Sequence, residues 1–161
     1  MAKILLGRAE VDPDKRCNNG STPLSRATGY GHEEIVKALL EHEGVNPNSQ
    51  DNRGQTPLLR VASNGNEGLV KMLLGRKAVS PNKQDNEGQT PLMAAATRGR
   101  DGVVKILLGR QDVTPGTPDD RGHTPLMSAY AKGHKRVIEL LEPLEAVNPK
   151  RKCEFPILAC I

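Results

Sequence analysis

Leucine pairs recur along this chain at a fixed interval: Leu5-Leu6, Leu39-Leu40, Leu73-Leu74 and Leu107-Leu108 are each 34 residues apart. In the clearest copy, Glu33-Glu34-Ile35-Val36-Lys37-Ala38-Leu39-Leu40, the apolar residues at 35, 36, 39 and 40 share one face of a helix. Glu33 and Glu34 in its first turn complement the helix dipole. A second apolar segment precedes each pair, and Thr-Pro-Leu opens it in the same register at Thr22, Thr56, Thr90 and Thr124. A threonine hydroxyl caps an orphan backbone N–H, and proline fits the first helical position because its missing N–H would be unpaired anyway. The pattern therefore predicts four helices here, the third running from Pro91 to Arg98 with Gly99 closing it through positive φ. After each leucine pair the chain turns polar, with Val-x-Pro at Val11, Val45, Val79, Val113 and Val147. Segments such as Asn46 to Gly54 then predict a projecting, hairpin-like loop.

The unit is thus hairpin, helix A, tight turn and helix B, repeated at a 34-residue period. Asp51-Asn52-Arg53-Gly54-Gln55-Thr56-Pro57-Leu58 through Gly65, followed by the Leu73-Leu74 helix, resembles the ankyrin repeat. The resemblance implies an all-α repeat solenoid, an ankyrin stack of helix-turn-helix units joined by projecting β-hairpin loops. The period, one residue above the usual 33, and the Val-Asn-Pro-Asn wording are similar to arrays in fungal receptor-like proteins. Two departures stand out. Ser25, Leu59, Met93 and Met127 occupy the place where the family often has histidine. Asp51, Asp85 and Asp119 keep the hairpin aspartate, whereas Cys17 and Cys153 replace it in the outer repeats, where looser hairpins are expected.

The register divides residues 1–161 as one ankyrin repeat domain: a partial repeat (1–16, helix B and hairpin), four repeats (17–50, 51–84, 85–118 and 119–152) and a remnant or cap (153–161). Lys3 to Arg8 matches Lys105 to Arg110, so the chain starts inside a helix B without its helix A, and Met1 to Arg8 is expected to fray. The other end reads as a finished cap. Glu142, before Pro143, stands where earlier repeats have Leu40, Leu74 and Leu108, and Tyr130 stands where they have Thr28, Ala62 and Ala96. A solenoid end needs a polar or bulky face.

Composition narrows the chemistry. With no Trp, Phe155 alone and two tyrosines, the core must come from Leu, Val, Ile and Ala. The net charge is +4 and the pI about 9.1, from 23 basic and 19 acidic residues, which is a mixed surface with a mild basic bias. Three cysteines (Cys17, Cys153, Cys160) without C-x-x-C spacing indicate neither a disulfide framework nor a zinc site. No apolar run reaches the length of a membrane helix. Met1 to Leu6 is too short for a signal peptide, and Asn19-Gly20-Ser21 reads as a turn, so an intracellular site, cytoplasmic or nuclear, is expected. His32 and His134 follow the inter-helix glycine in register, a repeated structural position, and His42 and His123 complete no metal or catalytic motif. Met72, Met93 and Met127 read as core filler. No cofactor is expected.

Function must then come from a surface. Helix A turns Leu24, Ala27, Thr28 and their equivalents to the core. Its opposite face carries Arg26, Gly29 and Tyr30; Arg60, Ser63 and Asn64; Ala94, Thr97 and Arg98; and Ser128, Ala131 and Lys132. The hairpin tips vary as well, with Asn18, Asn19 and Ser21; Asn52, Arg53 and Gln55; Asn86, Glu87 and Gln89; and Asp120, Arg121 and His123. Resemblance to the family implies that tips and inner helices line one concave surface for a protein partner, with Tyr30, Arg53, Arg98 and Arg121 as the leading contacts. The expected state is a monomer, although the open N-terminal end could self-associate. Two alternatives remain. Lys132, His134, Lys135, Arg136, Lys150, Arg151 and Lys152 could bind nucleic acid, with few aromatics to stack bases, or the scaffold could carry an unrecognised catalytic activity.

Overall fold

The structure, a computed structural model, describes residues 12–145. Eight helices form four pairs, and no strand occurs among the described residues. Helices A are α1 (Pro23–Tyr30), α3 (Pro57–Asn64), α5 (Pro91–Thr97) and α7 (Pro125–Lys132). Helices B are α2 (Glu33–Glu41), α4 (Glu67–Leu74), α6 (Asp101–Leu108) and α8 (Lys135–Glu145). The four threonines cap as predicted: their Oγ1 atoms accept from the amides of Ser25, Leu59, Met93 and Met127 at 3.1–3.3 Å. Gly65 closes α3 at φ +87°, where any L side chain is strained, and a Cβ there would also lie 2.7 Å from Arg100 Cδ. Helix α5 ends at Thr97, one residue before the predicted Arg98, which takes the C-cap position.

Each helix A packs on the next helix A and each helix B on the next helix B, with the two helices of a repeat in contact. The apolar faces meet in one continuous cluster that includes Leu24, Leu39, Leu58, Leu69, Leu73, Leu92, Leu107 and Leu141. Met93 is fully buried, and Met72 packs on the cluster's edge. Two positions differ from the periodic reading. Ala94, assigned to the outer face of helix A, is buried, because α5 is flanked by α3 and α7 and a methyl is too short to reach past them. Ile35, assigned to the buried stripe, is 41% exposed, while its equivalents Leu69, Val103 and Val137 are at most 1% exposed. Those three belong to helices B that each follow another helix B in the stack, whereas no described helix B precedes α2.

The projecting loops are tight turns rather than strand-paired hairpins. Asp51 N–H donates to Gln55 O (3.1 Å) and Gly54 N–H to Asp51 O (2.9 Å), a pattern repeated at Asp85 and Asp119. What aligns one loop with the next is a set of hydrogen bonds between repeats. Asn48 Nδ2 donates to Ala78 O (2.6 Å) while its Oδ1 accepts from Ser80 N (2.8 Å), and Asn82 does the same with Asp112 O and Thr114 N. Beside them Gln50 Nε2 donates to Gln84 O, and Gln84 Nε2 to Pro118 O. At the next equivalents stand Gly116 and Pro118, whose side chains offer no donor.

Two consequences are measurable by urea denaturation. Cutting Leu73, which is fully buried in mid-stack, to Ala should cost about 2–5 kcal/mol, whereas Ile35→Ala should cost less, about 1–1.5 kcal/mol, because part of that side chain already faces solvent. Asn82→Ala removes two inter-repeat hydrogen bonds, at about 0.5–1.5 kcal/mol each. An unchanged midpoint in Leu73→Ala would contradict the packing register, and one in Asn82→Ala would show that the loop rungs contribute nothing.

Candidate functional site

At the loop tips, successive repeats are joined by backbone. Asn52 N–H donates to Asn19 O, Asn86 N–H to Arg53 O and Asp120 N–H to Glu87 O, at 3.0–3.1 Å. Close approach requires glycine beneath the first three tips: at Gly54 (φ +74°) a Cβ would lie 2.6 Å from the Asn86 amide nitrogen. The tip polar residues consequently split into two kinds. Asn52 and Asn86 turn their amide groups back onto the preceding tip, Nδ2 donating to Asn18 O and Asn52 O. Asn19 Oδ1 accepts from Ser21 N and from the Cys17 thiol. The backbone amides of Gln55, Gln89 and His123 are held by the aspartates at 51, 85 and 119. By contrast Arg53 and Arg121 are exposed, and their guanidinium groups hold no hydrogen bond or ion pair among the described residues. Glu87 and Asp120 are exposed at the same edge.

On helix A, Arg98 and Lys132 are exposed without side-chain partners among the described residues, and Tyr30 is 71% exposed. Arg60 behaves otherwise. Its Nη2 lies 2.5 Å from Asp51 Oδ2, and its stem runs over Gly29, where a Cβ would sit 3.0 Å from Arg60 Cδ. It clamps the second hairpin to its own helix A, so its charge is already neutralised. Asn64 Nδ2 donates to Gly29 O of the preceding repeat. Arg26, the equivalent of Arg60 one repeat earlier, is exposed, and no described side chain pairs with it.

The first hairpin retains its backbone bond from Cys17 N to Ser21 O, but Asn19 supplies the oxygen that an aspartate supplies elsewhere. At the other end of the described residues, Tyr130 donates its hydroxyl to Glu142, joining the two substitutions that set the fourth repeat apart. That hydrogen bond, aided by burial, raises the Tyr130 pKa above its ordinary value. His134 Nε2 lies 3.1 Å from Thr97 O, a structural inter-repeat contact. Arg100 is the residue that composition gave no reason to notice. Its Nε donates to Ser63 O, using the position that Asn66 and His134 occupy in neighbouring repeats. The helix-B segment of the predicted partial repeat (residues 1–8 of 1–16), the basic residues Lys150, Arg151 and Lys152, and Cys153 and Cys160 lie outside the described residues.

No group of three or more His, Cys, Asp or Glu that could hold a metal ion occurs among the described residues, and none of their helices is long and apolar enough to cross a membrane. The family model described as ankyrin repeats (3 copies) matches residues 1–85 and 59–152 of the chain. No curated protein matches it.

The fourth hairpin carries a pH signature. Burial pushes the Asp119 carboxyl up, but the amides of His123 and Arg121 and the His123 ring (Nδ1 to Oδ2, 3.4 Å) outweigh it and leave the pKa below the ordinary carboxylate value. A lowered native pKa stabilises the fold above the unfolded value of about 4 and loses that stabilisation as pH falls through the native value. Urea midpoints of the wild type and Asp119→Asn should therefore differ at neutral pH and converge in acid. A gap independent of pH would show that the charge of Asp119 contributes nothing.

Proposed function

The chain belongs to the ankyrin-repeat family, and from that premise we propose that it is a non-catalytic module that binds a protein partner through the hairpin tips and the inner face of helix A. Ankyrin repeats are in general protein–protein interaction modules. The observation that carries the finer reading is a division of labour among the polar residues. Those at Asn48, Asn52, Asp51, Arg60, Asn82 and Asn86 are consumed by bonds within and between repeats. Arg53, Arg98 and Arg121, in three different repeats, remain exposed with uncommitted guanidinium groups. Arginine is enriched among the residues that dominate interfaces, because its planar donors meet carboxylates and carbonyls in fixed geometry. A surface built from neighbouring repeats also changes its specificity by substitution at the tips, without disturbing the rungs beneath.

The test is capture of partners from extracts of the source cells, read by mass spectrometry. The combined change Arg53→Ala, Arg98→Ala and Arg121→Ala should remove the captured protein, since truncating a hot-spot residue typically costs about 2 kcal/mol or more of binding. Each change at an exposed site should shift stability by only about 0.5 kcal/mol. Lys37, Lys71 and Lys105, exposed on helices B, provide a control of equal charge when changed to Ala. Loss of capture to the same degree in that control would mean general electrostatics and would reject the concave surface.

A further inference from the structure

The first repeat keeps an arginine whose acid has gone. In the second repeat Arg60 is paired with Asp51 at 2.5 Å. One period earlier Arg26 holds the arginine position on α1, while Cys17 holds the aspartate position. Arg26 therefore lacks the carboxylate that its equivalent has, and no other described residue supplies one. Beside it is a hollow of about 420 Å³, bordered by Lys15, Cys17, Ser21, Arg26, Tyr30 and Ile35 and by no acidic side chain. Ser21 is 1% exposed, and its Oγ has no hydrogen-bond partner. A buried hydroxyl without a partner is costly, and an incoming acceptor would satisfy it. The rim is apolar on one side, where Tyr30 is 71% and Ile35 41% exposed, the largest such pair at this end of the described stack.

We propose that this hollow takes the carboxylate of an acidic peptide segment of a partner protein, which stands in for the aspartate missing at Cys17. The carboxylate accepts from the Arg26 guanidinium and the Ser21 hydroxyl, with the Lys15 ammonium adding positive charge. An apolar neighbour in the same peptide covers Tyr30 and Ile35. This goes beyond the concave surface but rests on the reading of the chain as a protein-binding module. It also assigns a purpose to the Cys17 departure: it vacates a site that the aspartate would otherwise fill from within.

The full chain would be titrated into a fluorescein-labelled peptide of alternating glutamate and leucine, with binding read by anisotropy. Replacing the glutamates by glutamine should weaken binding about tenfold, the effect of losing one hydrogen bond to a charged group. Arg26→Gln should weaken it to a similar degree. Cys17→Asp restores the internal acid and should also block the peptide while leaving the urea midpoint unchanged or higher, an outcome that a merely damaged fold would not give. The proposal is overturned if the glutamine peptide binds equally well, or if Arg26→Gln and Cys17→Asp both leave the affinity unchanged. Displacement of the peptide by inorganic phosphate far better than by acetate, at matched ionic strength, would also overturn it in favour of a phosphate site. Because the peptide is a defined probe, the result is independent of the arginine triple variant. Peptide binding sensitive to Arg26→Gln supports the hollow even where capture ignores the triple change, and capture lost in the triple change supports the broader surface even where the peptide fails to bind.

Discussion

Burial of apolar side chains across the boundary between repeats is the interaction on which this structure depends. A pair of helices of seven to eleven residues each is too short to be stable alone in water. Leu69, Leu73, Val104 and Leu107 become inaccessible in the stack, where each helix B lies against another. Full burial of such a side chain is favourable by about 1.5–3 kcal/mol, so the stability of any repeat is largely a property of its interfaces. The placing of the leucine pairs within each helix B follows from this constraint. A shift of one residue would turn the leucine stripe away from its neighbour.

Once the interfaces fix the register, the polar loops inherit it. Asn48 and Asn82 find the same backbone partners in successive repeats because those partners arrive at the same height. The tips inherit it too: Asn52 and Asn86 are committed to the preceding tip, while the neighbouring Arg53 hangs its side chain outward from a carbonyl that is itself held. A display residue on a tethered backbone starts from a defined place, which lowers the ordering cost of binding.

Much of this architecture was legible because its signals are local. Threonine before proline, glycine after a short apolar run and the paired leucines each encode a cap, a stop and a buried face within a few residues. The inter-repeat rungs were not read, although Asn48 and Asn82, like Gln50 and Gln84, stand one period apart, because a polar residue in a loop is ordinarily assigned to solvent. The same limit affected the candidate surface. Arg60 and Arg98 both look like exposed arginines on helix A, and only the proximity of Asp51 separates a clamp from a free cation. Ala94 and Ile35 departed from their periodic faces for a related reason: how covered a position is depends on which helices flank it, which periodicity within one helix does not encode.

The side-chain rungs between loops also bear on how the molecule responds to load. Asn48 and Gln50 reach the loop that follows theirs, and so do Asn82 and Gln84. The series then meets Gly116 and Pro118, which extend no side-chain donor onward. Toward the other side the described rung is of another kind, with Asp14 accepting from Asn46 N–H and Arg16 donating to Gln50 O, so load entering there meets different bonds from load entering at Asn82 and Gln84. The stack resembles a zipper with unequal teeth: peeling it from one end or from the other should require different forces, even though the helices on the way are nearly the same.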